Sequence, residues 1–180
     1  PKDTPSKQAA AAVGQCELMH IYDDMFSKYN VTVAQILLTR ATLTNERLPH
    51  VQNTIGRLLE MGVIPIVNEN DTISVSELMF TDNDELSGLI ASMMDAQVLI
   101  ILSNIDGIYN GSPADPASEV IRKIEHGKDL SSYIQTSKSS FGRGGMLTKT
   151  NIARKVADEG IIVIIANGKR DNILVDLLHQ

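Results

Sequence analysis

Four short apolar runs, each leading into polar residues and each set apart by a helix-length segment, constrain this chain most. They are Val31–Leu38, Val63–Val67, Gln97–Ser103 and Ile161–Ala166. Their apolar residues do not keep to alternate positions, so most read as strands buried on both faces, the mark of a parallel sheet covered by helices. Helical segments lie between and around them. The first opens at Thr4-Pro5-Ser6, with Thr4 as cap and Pro5 at the first helical position, and continues through Leu18, Ile21, Tyr22 and Met25. A second covers Val51–Met61, has Pro49 at its start and stops at Gly62. Glu85–Met94, Gly145–Glu159 (ended by Gly160) and Asp171–Leu178 supply the rest. This alternation predicts an α/β fold, a three-layer αβα sandwich with a mainly parallel central sheet. No repeat or linker divides it, and 180 residues suit one domain. Ile73–Phe80 reads as a small β excursion, Gly111–Ser118 as a Pro/Gly loop, and Lys128–Gly145 as a polar, mobile loop.

Composition narrows the function. The chain has 16 basic and 22 acidic residues, for a formal charge of −6. A protein that grips nucleic acid non-specifically needs a basic excess instead. The single cysteine, Cys16, excludes an internal disulfide, and with four scattered histidines it leaves no Cys/His metal cage. Cys16, Met93 and Met94 read as packing residues, and His20, His50, His126 and His179 as surface residues. No apolar run is long enough to span a membrane. The chain opens Pro1-Lys2-Asp3, without Met or a signal-peptide pattern, and reads as a fragment, a processed product or the ordered part of something longer.

Ligands of open parallel sheets bind beyond the carboxyl ends of the strands, so the polar residues found there carry the functional reading. Asn68-Glu69-Asn70-Asp71 follows Val67 and can hold the amine or hydroxyls of a small polar ligand; it is also a good turn. Thr81-Asp82-Asn83-Asp84-Glu85 opens a helix. Asp82 and Glu85 fit a capping box, which leaves Asn83 and Asp84 unexplained by capping. Ser103-Asn104 ends the third strand and either contacts a nucleotide or simply begins a turn. Phe141-Gly142-Arg143-Gly144-Gly145-Met146-Leu147-Thr148-Lys149 leads into a helix. Its glycines let backbone approach phosphates, and Arg143, Lys149 and the helix dipole favour anions. The spacing is not that of a Walker loop, and a plain surface loop is the other reading.

Taken in order, these segments resemble the amino-acid kinase superfamily, and within it the branch that phosphorylates the γ-carboxylate of L-glutamate. Ser6-Lys7-Gln8 with Val13-Gly14-Gln15, Gln35–Arg40, Pro65–Asp71, Asp82-Asn83-Asp84, and Gly144-Gly145-Met146 with Thr148-Lys149 carry the likeness, which runs from about Lys7 to Asp176. The resemblance implies ATP-dependent formation of L-glutamyl 5-phosphate, the first step toward proline. It assigns Lys149 and Asp84 to catalysis and Asp71, Asn83 and Asn68 to the amino-acid substrate. The nucleotide falls to Ser103, Asn104, Arg143, Gly144, Gly145, Met146, Leu147, Thr148 and Lys149. It implies ATP with Mg²⁺, no protein metal ligand, proline as feedback inhibitor, a homo-oligomer in the cytoplasm, and no nucleic-acid or membrane partner.

The chain departs from the family at several points. The family's glycine-rich strand end with a catalytic lysine, and its Ser-Gly-Ala loop, precede the first residue here, so residues 1–180 read as one kinase domain without its N-terminal segment. Asn104 stands where the family usually has Asp, and Arg143 where it has a small residue. Two other readings share the scaffold: a kinase acting on another carboxylate, a carbamate or a nucleotide, and a non-catalytic amino-acid sensor.

Overall fold

A computed structural model describes residues 3–44, 46–73, 80, 82–111, 115–124 and 145–179. The expected β excursion at Ile73–Phe80 and the loop at Lys128–Gly145 fall largely outside these residues, as do Arg143 and Gly144. The chain forms two compact units, Pro1–Leu86 and Ser87–Gln180.

The first unit holds helix α1 (Thr4–Ser27), strand β1 (Val33–Leu38), a 3₁₀ turn (Arg40–Leu43), helix α2 (Leu48–Glu60), strand β2 (Ile64–Glu69) and the start of α3 (Asn83–Met93). β1 and β2 pair in parallel, from Val33 opposite Ile64 to Leu38 opposite Glu69. The connection runs through α2, as a parallel pair requires. α2 includes Pro49 in its first two positions, where no intrahelical donor is lost. Gly62, at φ +71°, turns the chain out of it as expected. Among the described residues of this unit, Leu38, Ile55, Phe80 and Leu86 are buried apolar residues.

Three expectations need correcting here. The α1 cap is Asp3, whose Oδ1 accepts from the Ser6 amide at 3.0 Å; Thr4 is already helical. Hydrogen bonding to Ser6 holds the Asp3 carboxyl below its ordinary pKa. Cys16 is exposed, not packed. Asn68 and Glu69 belong to β2 and not to a turn. Pairing with β1 continues past them, and the Asn70 amide still donates to the Leu38 carbonyl at 2.7 Å. A ladder partner outweighs the local turn preference of Asn.

The second unit contains the rest of α3, strand β3 (Val98–Ser103), helix α4 (Gly145–Asp158), strand β4 (Ile162–Asn167) and helix α5 (Ile173–Leu178). β3 and β4 are also parallel, from Val98 opposite Ile162 to Ser103 opposite Asn167. Among the described residues, Ala91, Val156 and Ile161 form one core cluster, with Ala96, Leu99, Ile152 and Val163 packed around them, and Ile108 with Ile121, Ile124 and Ile165 forms another. Gly88 lets α3 approach α4: a Cβ there would stand 2.6 Å from Ile152 Cγ2 and 3.3 Å from Val156 Cγ2. Gly160, at φ +89°, follows α4. Both ladders are parallel and joined through helices, so the α/β class holds. Among the described residues no helix is long and apolar enough to cross a membrane.

Candidate functional site

In the first unit the polar residues gather where β2 ends and α3 begins. The register places Gln35 opposite Ile66 and Leu37 opposite Asn68, so Gln35 and Asn68 project from one face of the ladder. α1 supplies Gln15 to that face. Asn68 Nδ2 donates to Gln15 Oε1 at 3.0 Å, and Gln15 Nε2 donates to Gln35 Oε1 at 3.2 Å. Asn68 Oδ1 in turn accepts from the Glu69 amide at 2.9 Å. Asn68 is thus half-buried and tied into an amide chain, and its orientation is fixed by α1.

Glu69 projects from the opposite face and is 9% exposed. Its Oε1 accepts from the Phe80 amide at 3.1 Å, which draws the chain after β2 back to the strand end. Asn70 Oδ1 accepts from the Thr72 hydroxyl. Asp71 is half-buried and lines a small pocket with Gln15, Leu37, Glu69, Asn70 and Thr72. The predicted acceptor residue Asp71 and the amide chain through Asn68 therefore meet at one strand end.

Asn83 and Asp84 occupy the first turn of α3, Asn83 exposed and Asp84 half-buried. Asp82 caps the helix as expected, its Oδ1 accepting from the Glu85 amide at 3.0 Å. The Glu85 carboxylate has a partner that sequence reading missed. Arg40 Nη2 donates to its Oε1 at 2.7 Å and its Oε2 at 2.9 Å. The Arg40 guanidinium also lies over the Phe80 ring, 5.4 Å from its centroid. Thr39 and Thr42 close the 3₁₀ turn that presents Arg40: the Thr39 amide donates to Thr42 Oγ1 at 2.9 Å, and that hydroxyl donates to the Thr39 carbonyl at 2.6 Å. The signal in the sequence is a lone arginine directly after an apolar strand; its partner stands 45 residues away.

In the second unit, β3 ends at Ser103 and Asn104, with Ser103 Oγ 3.4 Å from Asn104 Oδ1. The Ser103 carbonyl accepts from the Gly168 amide at 2.8 Å, which binds the β3 end to the β4 end. Beside it, Asn167 Nδ2 donates to Asp106 Oδ1 at 3.2 Å. The Tyr109 hydroxyl donates to Asp106 Oδ2 at 3.5 Å. Burial, then the Asp106 charge, then that contact push the Tyr109 pKa above its ordinary value. α4 begins at Gly145 and carries Met146, Leu147, Thr148 and Lys149 in its first turns. Thr148 and Lys149 are half-buried, and Thr150 is 1% exposed. The helix start, with Lys149, offers donors and positive charge to an anion. Among the described residues no three His, Cys, Asp or Glu side chains form a metal cluster.

The sequence profile of the amino acid kinase family matches residues 2–167. A glutamate 5-kinase of Bacteroides thetaiotaomicron is 72% identical over 175 residues, covering 97% of this chain and 49% of that protein. A glutamate 5-kinase of Clostridium perfringens is 45% identical over 186 residues, covering 99% of this chain and 69% of that protein. The chain thus spans about half the length of the first relative. Among solved structures, the UMP kinase from Ureaplasma parvum superposes with a TM-score of 0.59 at 17% identity, over 87% of this chain and 60% of that one. An isopentenyl phosphate kinase gives 0.61 at 15% identity, over 91% and 61%. At such identities the structural likeness concerns the fold alone.

Proposed function

The chain belongs to the amino acid kinase family, and from that premise we propose that the protein containing it transfers the γ-phosphoryl group of ATP to the γ-carboxylate of L-glutamate. The product is L-glutamyl 5-phosphate, the first intermediate on the way to proline. The observation that carries this reading is the 72% identity, over 97% of the chain, to a glutamate 5-kinase.

The side chains fit the chemistry. A carboxylate is already a nucleophile near neutral pH and needs no strong base. Catalysis is then positioning plus neutralisation of charge on the transferring group. Asp71 pairs with the substrate ammonium, while Asn83 and the amide chain through Asn68 orient the rest of the amino acid. Asp84 positions the cationic groups that meet the phosphates. Ser103 and Asn104 hold the nucleotide, and Gly145 to Lys149, with Gly144 and Arg143 before them, track its phosphates. Lys149 meets charge as it develops on the phosphoryl oxygens. Mg²⁺ characteristically keeps water and binds through substrate phosphates plus one or two carboxylates, as an ion carried by the nucleotide would. Such an ion would supply charge neutralisation to the transferring group.

The same reading takes residues 1–180 as part of one kinase domain of a cytoplasmic homo-oligomer, inhibited by proline, with no nucleic-acid or membrane partner. The test uses the intact protein with ATP, Mg²⁺ and glutamate, glutamine or aspartate. Hydroxylamine traps an acyl phosphate as a coloured hydroxamate. We expect trapping with glutamate alone, matched by ADP release. ADP release with a different acceptor and no hydroxamate from glutamate would overturn the assignment.

A further inference from the structure

Arg40 lies outside the acceptor-side residues assigned above, yet it joins two segments that lead to them. It sits on the 3₁₀ turn directly after β1. It binds both oxygens of Glu85, which stands next to Asp84 in the first turn of α3. It also covers the face of Phe80, the residue whose amide is held by Glu69 at the end of β2. The ends of β1 and β2 and the start of α3 are therefore connected in one unit through four side chains. Asn83 and Asp84 ride on the part of α3 that this arrangement holds.

We propose that the Arg40–Glu85 ion pair, seated on Phe80, sets the position of the α3 start for the acceptor amino acid, which makes Arg40 and Glu85 positioning residues for substrate binding. The inference rests on the assignment of Asn83 to the acceptor amino acid, with the catalytic Asp84 beside it on the same turn. Arginine suits the task better than lysine. Its planar head donates to a carboxylate and stacks on a ring at once, whereas an ammonium concentrates its charge at one point. The partners are also unequally exposed. The Glu85 side chain is 19% exposed and the Arg40 side chain 45%, so solvent screens the pair in part and its effect is moderate. Loss of the pair loosens the first turn of α3 while Asp82 still caps it. Phe80 is 5% exposed and keeps its hydrogen bond to Glu69, so the surrounding fold survives.

The test is steady-state kinetics on the intact protein, with wild type, Arg40→Ala, Arg40→Lys, Glu85→Gln and the charge-reversed double variant Arg40→Glu/Glu85→Arg. Circular dichroism and thermal melting check that each variant folds. Arg40→Ala should raise the glutamate KM about tenfold, the combined scale of a part-screened ion pair and a cation–π contact, and Glu85→Gln about threefold, because it removes the ion pair alone. The ATP KM should stay within about twofold of wild type, since neither residue touches the phosphates, and kcat should fall less than the glutamate KM rises, through Asp84 on the same turn. Arg40→Lys should fall between, and the reversed pair should recover part of the lost affinity. A folded Arg40→Ala with an unchanged glutamate KM would overturn the inference, as would one whose ATP KM rises equally. If Arg40→Ala does not fold, an unchanged glutamate KM in both Arg40→Lys and Glu85→Gln overturns it. A wild-type protein that turns over no glutamate refutes the functional reading and this inference with it; turnover by wild type with unmoved KM values refutes this inference alone.

Discussion

Gly88→Ala puts the α3–α4 contact to a test in which the sign of the effect is diagnostic. In an open helix position the change stabilises, because alanine exceeds glycine in helix propensity by about 1 kcal/mol. At position 88 the added carbon would lie 2.6 Å from Ile152 Cγ2 and 3.3 Å from Val156 Cγ2. Carbon pairs prefer roughly 3.5–4.0 Å, so the first contact is deep in repulsion. Both neighbours are β-branched residues in a helix, where χ1 has essentially one choice. Val156 is 1% exposed, so it cannot swing out toward solvent. Relief must come from moving α3 off α4, and overpacking of this kind costs about 1–3 kcal/mol. Taking ~2 kcal/mol for overpacking against ~1 kcal/mol from propensity leaves a net loss near 1 kcal/mol. Gly56 on α2 is the control, since a Cβ there meets nothing within 4 Å. Gly56→Ala should gain about 0.4–1 kcal/mol. Urea unfolding of the intact protein, followed by circular dichroism, measures both. In a double-mutant cycle, Ile152→Ala should remove most of the penalty of Gly88→Ala, because it deletes the clashing methyl. If Gly88→Ala stabilised as much as Gly56→Ala, the close approach of the two helices would be refuted.

Further expectations concern the reaction and its pH response. Lys149→Ala should lower kcat by about 10²–10³, the scale of removing one stabiliser of developing charge, and raise the glutamate KM far less; an unchanged kcat in steady-state kinetics would count against that role. Asp71→Ala and Asn83→Ala should weaken glutamate binding while ATP affinity stays near wild type. For half-buried Asp71, the loss belongs at the low end of the ~2–5 kcal/mol known for broken charge pairs. Calorimetric titration with each ligand decides it, and lost ATP binding with normal glutamate binding would show the two sides to be exchanged. The Tyr109 phenol should ionise above pH 10, and Asp106→Asn should bring its midpoint down only in part, because burial is the larger cause. A raised pKa means that the folded protein holds the proton more tightly. The stability from this group is therefore complete below pH 10 and is lost as pH rises through the folded value. Tyrosinate absorbance, referenced to Tyr109→Phe, reports the midpoint, and no shift in Asp106→Asn would refute the coupling.

The elements were legible because apolar runs leave a plain mark: among the described residues four such runs match four strands, each within two residues of its observed start, although Ile64, Val98, Leu102 and Ile162 on them are exposed and not buried as expected. Their polar ends were harder to place. Asn68 and Glu69 look like turn residues from composition, yet β1 offers them ladder partners through Leu38. Nothing local announces that. Asp3 rather than Thr4 caps α1 because its carboxylate reaches the Ser6 amide, a choice between adjacent good capping residues. Glu85 illustrates a deeper limit. Its spacing from Asp82 fits a capping box, and Asp82 does cap, but the Glu85 carboxylate is taken by an arginine brought near only by the fold. The Gln15–Asn68 and Glu69–Phe80 bonds are long-range in the same sense, joining residues 53 and 11 positions apart. Sequence pattern located the substrate-facing candidates; the side chains that hold them became visible only with the three-dimensional arrangement.

Asn68 and Glu69 are neighbours in the chain whose side chains leave β2 on opposite faces, one toward the amides of α1 and the other toward the Phe80 backbone. This makes the strand tolerant of one kind of genetic change and intolerant of another. A substitution at either position disturbs one face. Deletion of a single codon upstream in β2 would exchange the faces, setting a carboxylate against Gln15 and Gln35 and leaving an amide to meet the Phe80 N–H. Both hydrogen-bond systems would have to re-form at once with side chains of the wrong length and with the Asn68 donor lost to Gln15, and Asp71 would be drawn one step toward the strand. Codon-length changes within Ile64–Glu69 should therefore be purged from any library selected for activity, even where point changes survive.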